Sequence, residues 1–249
     1  MQEMIQDVRT VLWKEARSLF RQPGSKVRTV LTVAVPVAFF GVLAPLQEGA
    51  GFAAGALPWF VAVILPLLIV SLVAPDAFAG ERERRTLRTL LSSRLPDGAI
   101  LYGKLLFSVL VALGTFLATL VVALVTVNLA TSGQGAILIG FGRLAGMIGV
   151  AFLLAALASA ITVLVSLRAA TVQQAQQALV AVLFLVPTVL GPVALLLDER
   201  GSDVVGKVFR ALASDAGRVA LVAVLVAVTA VLLRIAHARF QRERLASLP

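Results

Sequence analysis

Apolar residues along this chain gather into six blocks separated by short polar or charged connections. The blocks cover residues 29–46, 58–77, 105–130, 144–167, 178–197 and 217–233. A helix rises about 1.5 Å per residue, so roughly 17–25 apolar residues cross the hydrocarbon core of a bilayer. Each block has about that length and predicts a spanning helix. Pro36 falls where it can kink the first span, and Pro45 is placed to close it. Pro66 and Pro75 lie inside the second span or at its end. Pro187, Gly191 and Pro192 interrupt the fifth. Gly142, Gly146 and Gly149 open the fourth, where they permit close helix packing.

Two stretches outside the blocks are amphipathic. In residues 4–22, Met4, Ile5, Val8, Val11, Leu12, Ala16, Leu19 and Phe20 recur at helical spacing, with Asp7, Lys14, Arg17 and Arg21 largely off the stripe. This predicts a helix lying in the membrane interface, held by Val8, Leu12 and Leu19, with Trp13 at headgroup depth. Gln22-Pro23-Gly24-Ser25 ends it. The second stretch, 80–95, stands between spans two and three. Glu81 and Glu83 occupy its first turn, where carboxylates favour the helix dipole. Leu87, Leu90, Leu91 and Leu95 share one face. That leucine face is wider than a solvated loop needs, so the helix reads as a docking surface. A Pro96-Asp97-Gly98 turn follows. Further on, the glutamine run 173–177 either lines a vestibule or, more often for such runs, begins a helix. Residues 198–217 are polar but hold an amphipathic stretch at Val204, Val205, Val208, Phe209 and Leu212.

Composition narrows the class. The chain of 249 residues is 59% hydrophobic and 14% charged, with a mean hydropathy of +0.98, against about 25% charged in soluble domains. It reads as an all-α integral membrane protein with one transmembrane domain, 1–249, and no room for a separate soluble domain. Charge sets the orientation. Of 22 Lys and Arg, six precede the first span, six lie between spans two and three, one is Arg168 and four follow from Arg234 onward. The opposite segments hold Arg143, Arg200, Lys207, Arg210 and Arg218. This bias places both termini in the cytoplasm and the chain in the inner, or cytoplasmic, membrane as a multi-pass protein. The net charge of +9 then serves anionic lipid headgroups rather than nucleic acid. The N-terminus lacks the apolar core and cleavage site of a signal peptide, so the first span is expected to act as the targeting signal.

Candidate chemistry is sparse. The absence of cysteine excludes thiolate sites and disulfides, and His237 as the lone histidine argues against a histidine-built metal site or triad. No carboxylate pair sits at membrane depth, which argues against an intramembrane enzyme. Asp76 and Lys104 fall near cytoplasmic span ends, where water is expected to reach them. No GxxxxGK[ST] sequence occurs, and Gly24-Ser25-Lys26 is only a fragment of one. ATP chemistry would have to come from another polypeptide.

The charged segment FAGERERRTLRTLLSSRLPDGAILYGK, Phe78 to Lys104, presents acidic-basic-acidic residues, Thr86-Leu87, Leu90-Leu91, a turn and a lysine in that order. In this it resembles the loop after the second span of the ABC type-2 exporter permeases. That family has an N-terminal elbow helix, six spans, both termini inside and an outer re-entrant hairpin between spans five and six. Counterparts to all four occur here. The resemblance implies a permease subunit of an ATP-driven exporter, with 80–95 as its coupling helix. Glu81, Glu83, Thr86, Leu87, Leu90 and Leu91 would then engage an ABC ATPase subunit. ATP and Mg would sit on that partner, with no catalytic, cofactor or metal residue in this chain. It further implies a second permease, identical or different, and contact with membrane lipid. The family often has Gly before the Thr and an acidic residue after the Thr-Leu, and here these are Arg85 and Arg88. A haem-exporter-type subunit and a structural or assembly membrane protein are the alternative readings.

Overall fold

The computed structural model describes residues 2–21, 25–77, 79–83, 96–132, 135–169, 171–181 and 215–240. Among them every regular element is helical, and no strand occurs. Helix α1 is Gln2–Arg21 and α2 is Ser25–Ala38. A π-helical turn, Phe39–Leu43, joins α2 to α3, Ala44–Glu48. After a 3-10 turn come α4, Leu57–Val73, a further 3-10 turn, Ala74–Ala77, and the short α5, Ala79–Glu83. Helices α6, Asp97–Ala130, α7, Phe141–Ser166, α8, Val172–Val180, and α9, Asp215–Arg239, complete the series. Residues 84–95, most of the fifth apolar block and the expected outer hairpin lie outside the described residues.

Among the described residues, five stretches are long and apolar enough to cross a membrane: Val30–Gly51, Leu57–Glu81, Asp97–Ala130, Phe141–Ser166 and Val219–Arg239. The first keeps going past Pro45. In the π-helical turn the Ala44 N–H reaches back five residues to the Phe39 carbonyl. Pro45, which lacks a donor, then sits in the first turn of α3. The widened register therefore accommodates the proline. The run is ended instead by Gly49, at φ 56° and ψ −135°, where a side chain would be strained. The third span also starts earlier than its apolar block. Pro96 is extended (φ −65°, ψ 147°), and helix begins directly at Asp97, so Asp97 and Gly98 form its first turn rather than a separate one. At 34 residues this helix is about 51 Å long, well beyond a bilayer's hydrocarbon core of about 30 Å.

The main core lies where α4, α6 and α7 meet. Val61, Leu65 and Ile69 of α4 pack with Val109, Ala112 and Phe116 of α6 and with Met147, Ala151, Ala155 and Ala158 of α7. Alanine at four- and three-residue spacing lets α7 approach closely, and dispersion between well-matched surfaces holds such helices together. Gly146 follows the same logic: a Cβ there would lie 3.0 Å from the Trp59 ring. Gly142 and Gly149 have nothing within 4 Å of that position, so the expected three-glycine packing face reduces to one contact. The residues facing outward are apolar. On α6 they are Leu106, Leu110, Leu117, Val121 and Val125, and on α9 Val224, Val228 and Val231. Such stripes are what lipid or another apolar surface would cover.

Buried hydroxyls are mostly satisfied within their own helices. Ser71, Ser108, Thr115, Thr119, Thr162 and Thr229 each donate to the carbonyl four residues back, at 2.7–3.1 Å. This answers the requirement that polar groups away from water find a partner. One end of the bundle is tied by longer-range bonds. Asn128 donates to the Ile137 carbonyl at 2.9 Å and accepts from its N–H at 2.8 Å. Arg143 donates to the Ala54 carbonyl at 2.9 Å and to that of Gly55. The other end, about 36 Å away along α6 by helical rise, holds the charged groups.

Candidate functional site

At that second end α1 crosses α6, and the crossing begins with a missing side chain. A Cβ on Gly103 would lie 2.7 Å from Val11 Cβ and Cγ1, so only glycine allows the two helices to come this close. Val11 is buried in the contact. One turn further along α1 is Glu15, and directly after Gly103 is Lys104. The approach therefore delivers the Glu15 carboxylate to the Lys104 ammonium, Oε1 to Nζ 2.8 Å. Lys104 is 1% exposed. The expectation that water reaches it is overturned: α1 covers it, and a contact between residues 89 apart is not visible in local sequence.

Helix α5 supplies the third group. Its Ala79 packs with Ala169 and Ala175, against Val165 and Val172, which seats the helix beside the start of α8. Glu81 Oε1 then accepts from Lys14 Nζ at 2.8 Å and from Lys104 Nζ at 3.4 Å. Lys14 also lies 3.8 Å from Glu15. Two ammonium and two carboxylate groups from α1, α5 and α6 thus meet in one network among the described residues. Glu15 and Glu81 are only 11% and 13% exposed, whereas Lys14 at 47% faces outward. Partial burial of both carboxylates makes this network more consequential than a surface pair, because each charge has given up water for its partner.

Glu83, two residues after Glu81, turns to another element. Its Oε2 accepts from the backbone N–H of Val172, the first residue of α8, at 3.2 Å. A carboxylate there satisfies an orphan donor and favours the positive end of the helix dipole. Thr171 caps the same end, its Oγ1 accepting from the Gln174 N–H at 3.2 Å. The glutamine run thereby begins a helix, the more frequent of its two expected roles. Gln176 donates to the Leu72 carbonyl at 3.1 Å and ties α8 to α4.

Of the residues singled out from sequence, Glu81 and Glu83 are brought to this junction. Both bond within the chain. Thr86, Leu87, Leu90 and Leu91 lie outside the described residues. On α1, Val8 and Leu12 are half-buried, and Trp13 is exposed with the Arg17 guanidinium 4.8 Å from its ring centroid. Leu19 falls within the helix, but its side chain is outside the description. Lys14, Glu15 and Lys104 were not among the expected site residues. A signal existed for two of them. Glu15 sits on the apolar stripe of α1, four residues after Val11 and three after Leu12. Lys104 lies on the face of α6 that also carries Ile100 and Ser108, four residues to either side and both buried. A charge on a buried stripe implies a partner of opposite sign.

The comparisons with known proteins agree with a transport protein. The family model of the ABC-2 type transporter matches residues 6–198, from the first turns of α1 to the end of the fifth apolar block. No curated protein matches the chain. With that match over most of its length and its series of apolar helices, the chain is a multi-pass membrane protein that belongs to the ABC-2 type transporter family.

Proposed function

We propose that the chain is the membrane permease subunit of an ATP-driven exporter, working as a dimer with separate ATPase subunits that hold ATP and Mg. The observation that carries this reading is the fastening of α5. Residues 79–83 lead directly into the leucine-rich segment 84–95, and their carboxylates bond to α1, α6 and α8. Held in this way, a segment gripped by an outside partner moves α1 and α8 along with the two spans that it connects. The dimer carries the substrate path, with a second permease supplying the other half. Export, rather than import, rests on the resemblance to the exporter permeases.

In this reading residues 80–95 form the coupling helix, in the cytoplasm with both termini. Helix α1 is the elbow at the inner-membrane surface, with Trp13 among the headgroups. The fifth block supplies a sixth span, and 198–217 an outer re-entrant hairpin. Leu87, Leu90 and Leu91 enter a cleft on the ATPase. Truncating such buried anchors costs about 2 kcal/mol or more each. The test is the double change Leu87→Ala with Leu91→Ala in cells that carry the partner ATPase. Normal membrane levels with loss of ATPase on co-purification, or with hydrolysis no longer driving transport, is the expected result. Unchanged transport with the ATPase retained would remove the coupling role.

A further inference from the structure

The segment 79–95 is joined by chain continuity to span two at one end and span three at the other. Movement there reaches those two spans through covalent bonds alone. Among the described residues, the segment is tied to α1 and α8 through side chains. The residue pairs that do this are far apart in sequence, 67 positions for Lys14–Glu81 and 89 for Glu15–Lys104 and Glu83–Val172.

Lys104 is the shared point of that linkage. Its ammonium lies between carboxylates of two different elements, Glu15 on α1 and Glu81 on α5, while its own backbone belongs to the third span. Helix α5 has little apolar grip of its own: Ala79 and Gly80 are its buried positions among the described side chains, with one methyl group between them. Val11 against Gly103 fixes how closely α1 approaches, but two smooth apolar surfaces can slide. A 1% exposed ammonium cannot slide away from its carboxylates, because separation would leave charges buried without compensation. The apolar contact thus sets the distance and the charge network sets the register.

We propose that Lys104 is a positioning residue for transport: it locks the N-terminal helix and the third span to the coupling segment so that the three move as one body when the ATPase acts. The inference rests on the reading of the chain as an ATPase-coupled permease. It assigns Glu81 to the permease side of the joint, with the leucines that follow facing the partner.

The experiment uses the intact complex in lipid vesicles, measuring transport per ATP hydrolysed. Two variants are compared with the parent: Lys104→Met, and the triple change Lys104→Met, Glu15→Gln and Glu81→Gln. The triple variant neutralises Lys104 and both of its carboxylates together, so none of these three is left charged without its partners, and it leaves Lys14 at the exposed edge. Both are expected to keep the ATPase bound and hydrolysing, while transport per ATP falls about ten-fold, a coupling effect of the size such networks carry. Lys104→Arg, which keeps a cation between the Glu15 and Glu81 carboxylates, is expected to recover most of that loss, and coupling as poor as that of Lys104→Met in this variant would overturn the proposal. Normal coupling in a well-folded triple variant overturns the proposal. Failure of the triple variant to fold overturns it too, since the cluster would then serve folding alone. If the parent complex itself neither binds nor uses an ATPase, the functional reading fails instead, and the two failures are told apart by that control.

Discussion

At the scale of single residues, glycine and charge decide the junction together. Gly103 permits the crossing of α1 and α6, and the crossing buries Lys104. Gly103→Ala should therefore push α1 outward by its clash with Val11, costing about 1–3 kcal/mol as overpacking does. Thermal unfolding of the purified protein should show the loss, and adding Val11→Ala should restore part of it, since the second change removes Cγ1, one of the two atoms that clash, and leaves Cβ. A single and double variant of equal stability would mean that the close approach matters little. Lys104 itself shows the limit of local reading. Its neighbours Ile100 and Ser108 mark its helix face as buried, yet its position near a span end suggests water. Only the arrival of α1 decides between them.

At the scale of elements, α1 packs against α6 and also carries the pattern expected of an interfacial helix. Val11 and Glu15 face α6, while Val8 and Leu12 are half-buried and Trp13 is exposed beside Arg17. One amphipathic stripe can serve a bundle and a bilayer surface at once, since apolar area is non-directional. Changing Val8, Leu12 and Leu19 together to Glu should strip α1 from both. The expected outcome is lower membrane levels and lower recovery of the complex with its ATPase, read by fractionation and co-purification. Normal levels and recovery would show that the stripe is dispensable. The existence of the long helices was legible, because apolar block length is a local property. Their ends were less so. Pro45 reads as a stop but is absorbed by the π-helical turn, and Gly49 ends the run. Likewise Pro96 directly precedes helix rather than opening a longer turn, so α6 starts eight residues before its apolar block. Helix ends follow from backbone geometry that a residue type permits without dictating.

At the scale of the whole molecule, the charge asymmetry predicts how the bundle stands in the membrane. Cysteines introduced singly at Gly49, Ser132 and Ser202 should react with an impermeant thiol reagent applied outside sealed cells, and one at Ser92 should not. The absence of native cysteine makes each label unambiguous. Labelling at Ser92 would invert the orientation and remove the coupling role of 80–95 with it. The sequence by itself determined that this is a helical membrane protein and where most of its spans fall, and it supplied the resemblance of the segment after the second span to the exporter permeases. Those properties follow from apolar length, charge count and residue order, each readable along one stretch of chain. Tertiary structure alone decided that Lys104 is covered, that Glu81 bonds to Lys14 and Lys104, and that Glu83 caps α8. These depend on which distant segments meet. A buried ammonium and an exposed one have the same sequence signature until the helix that covers it is in place.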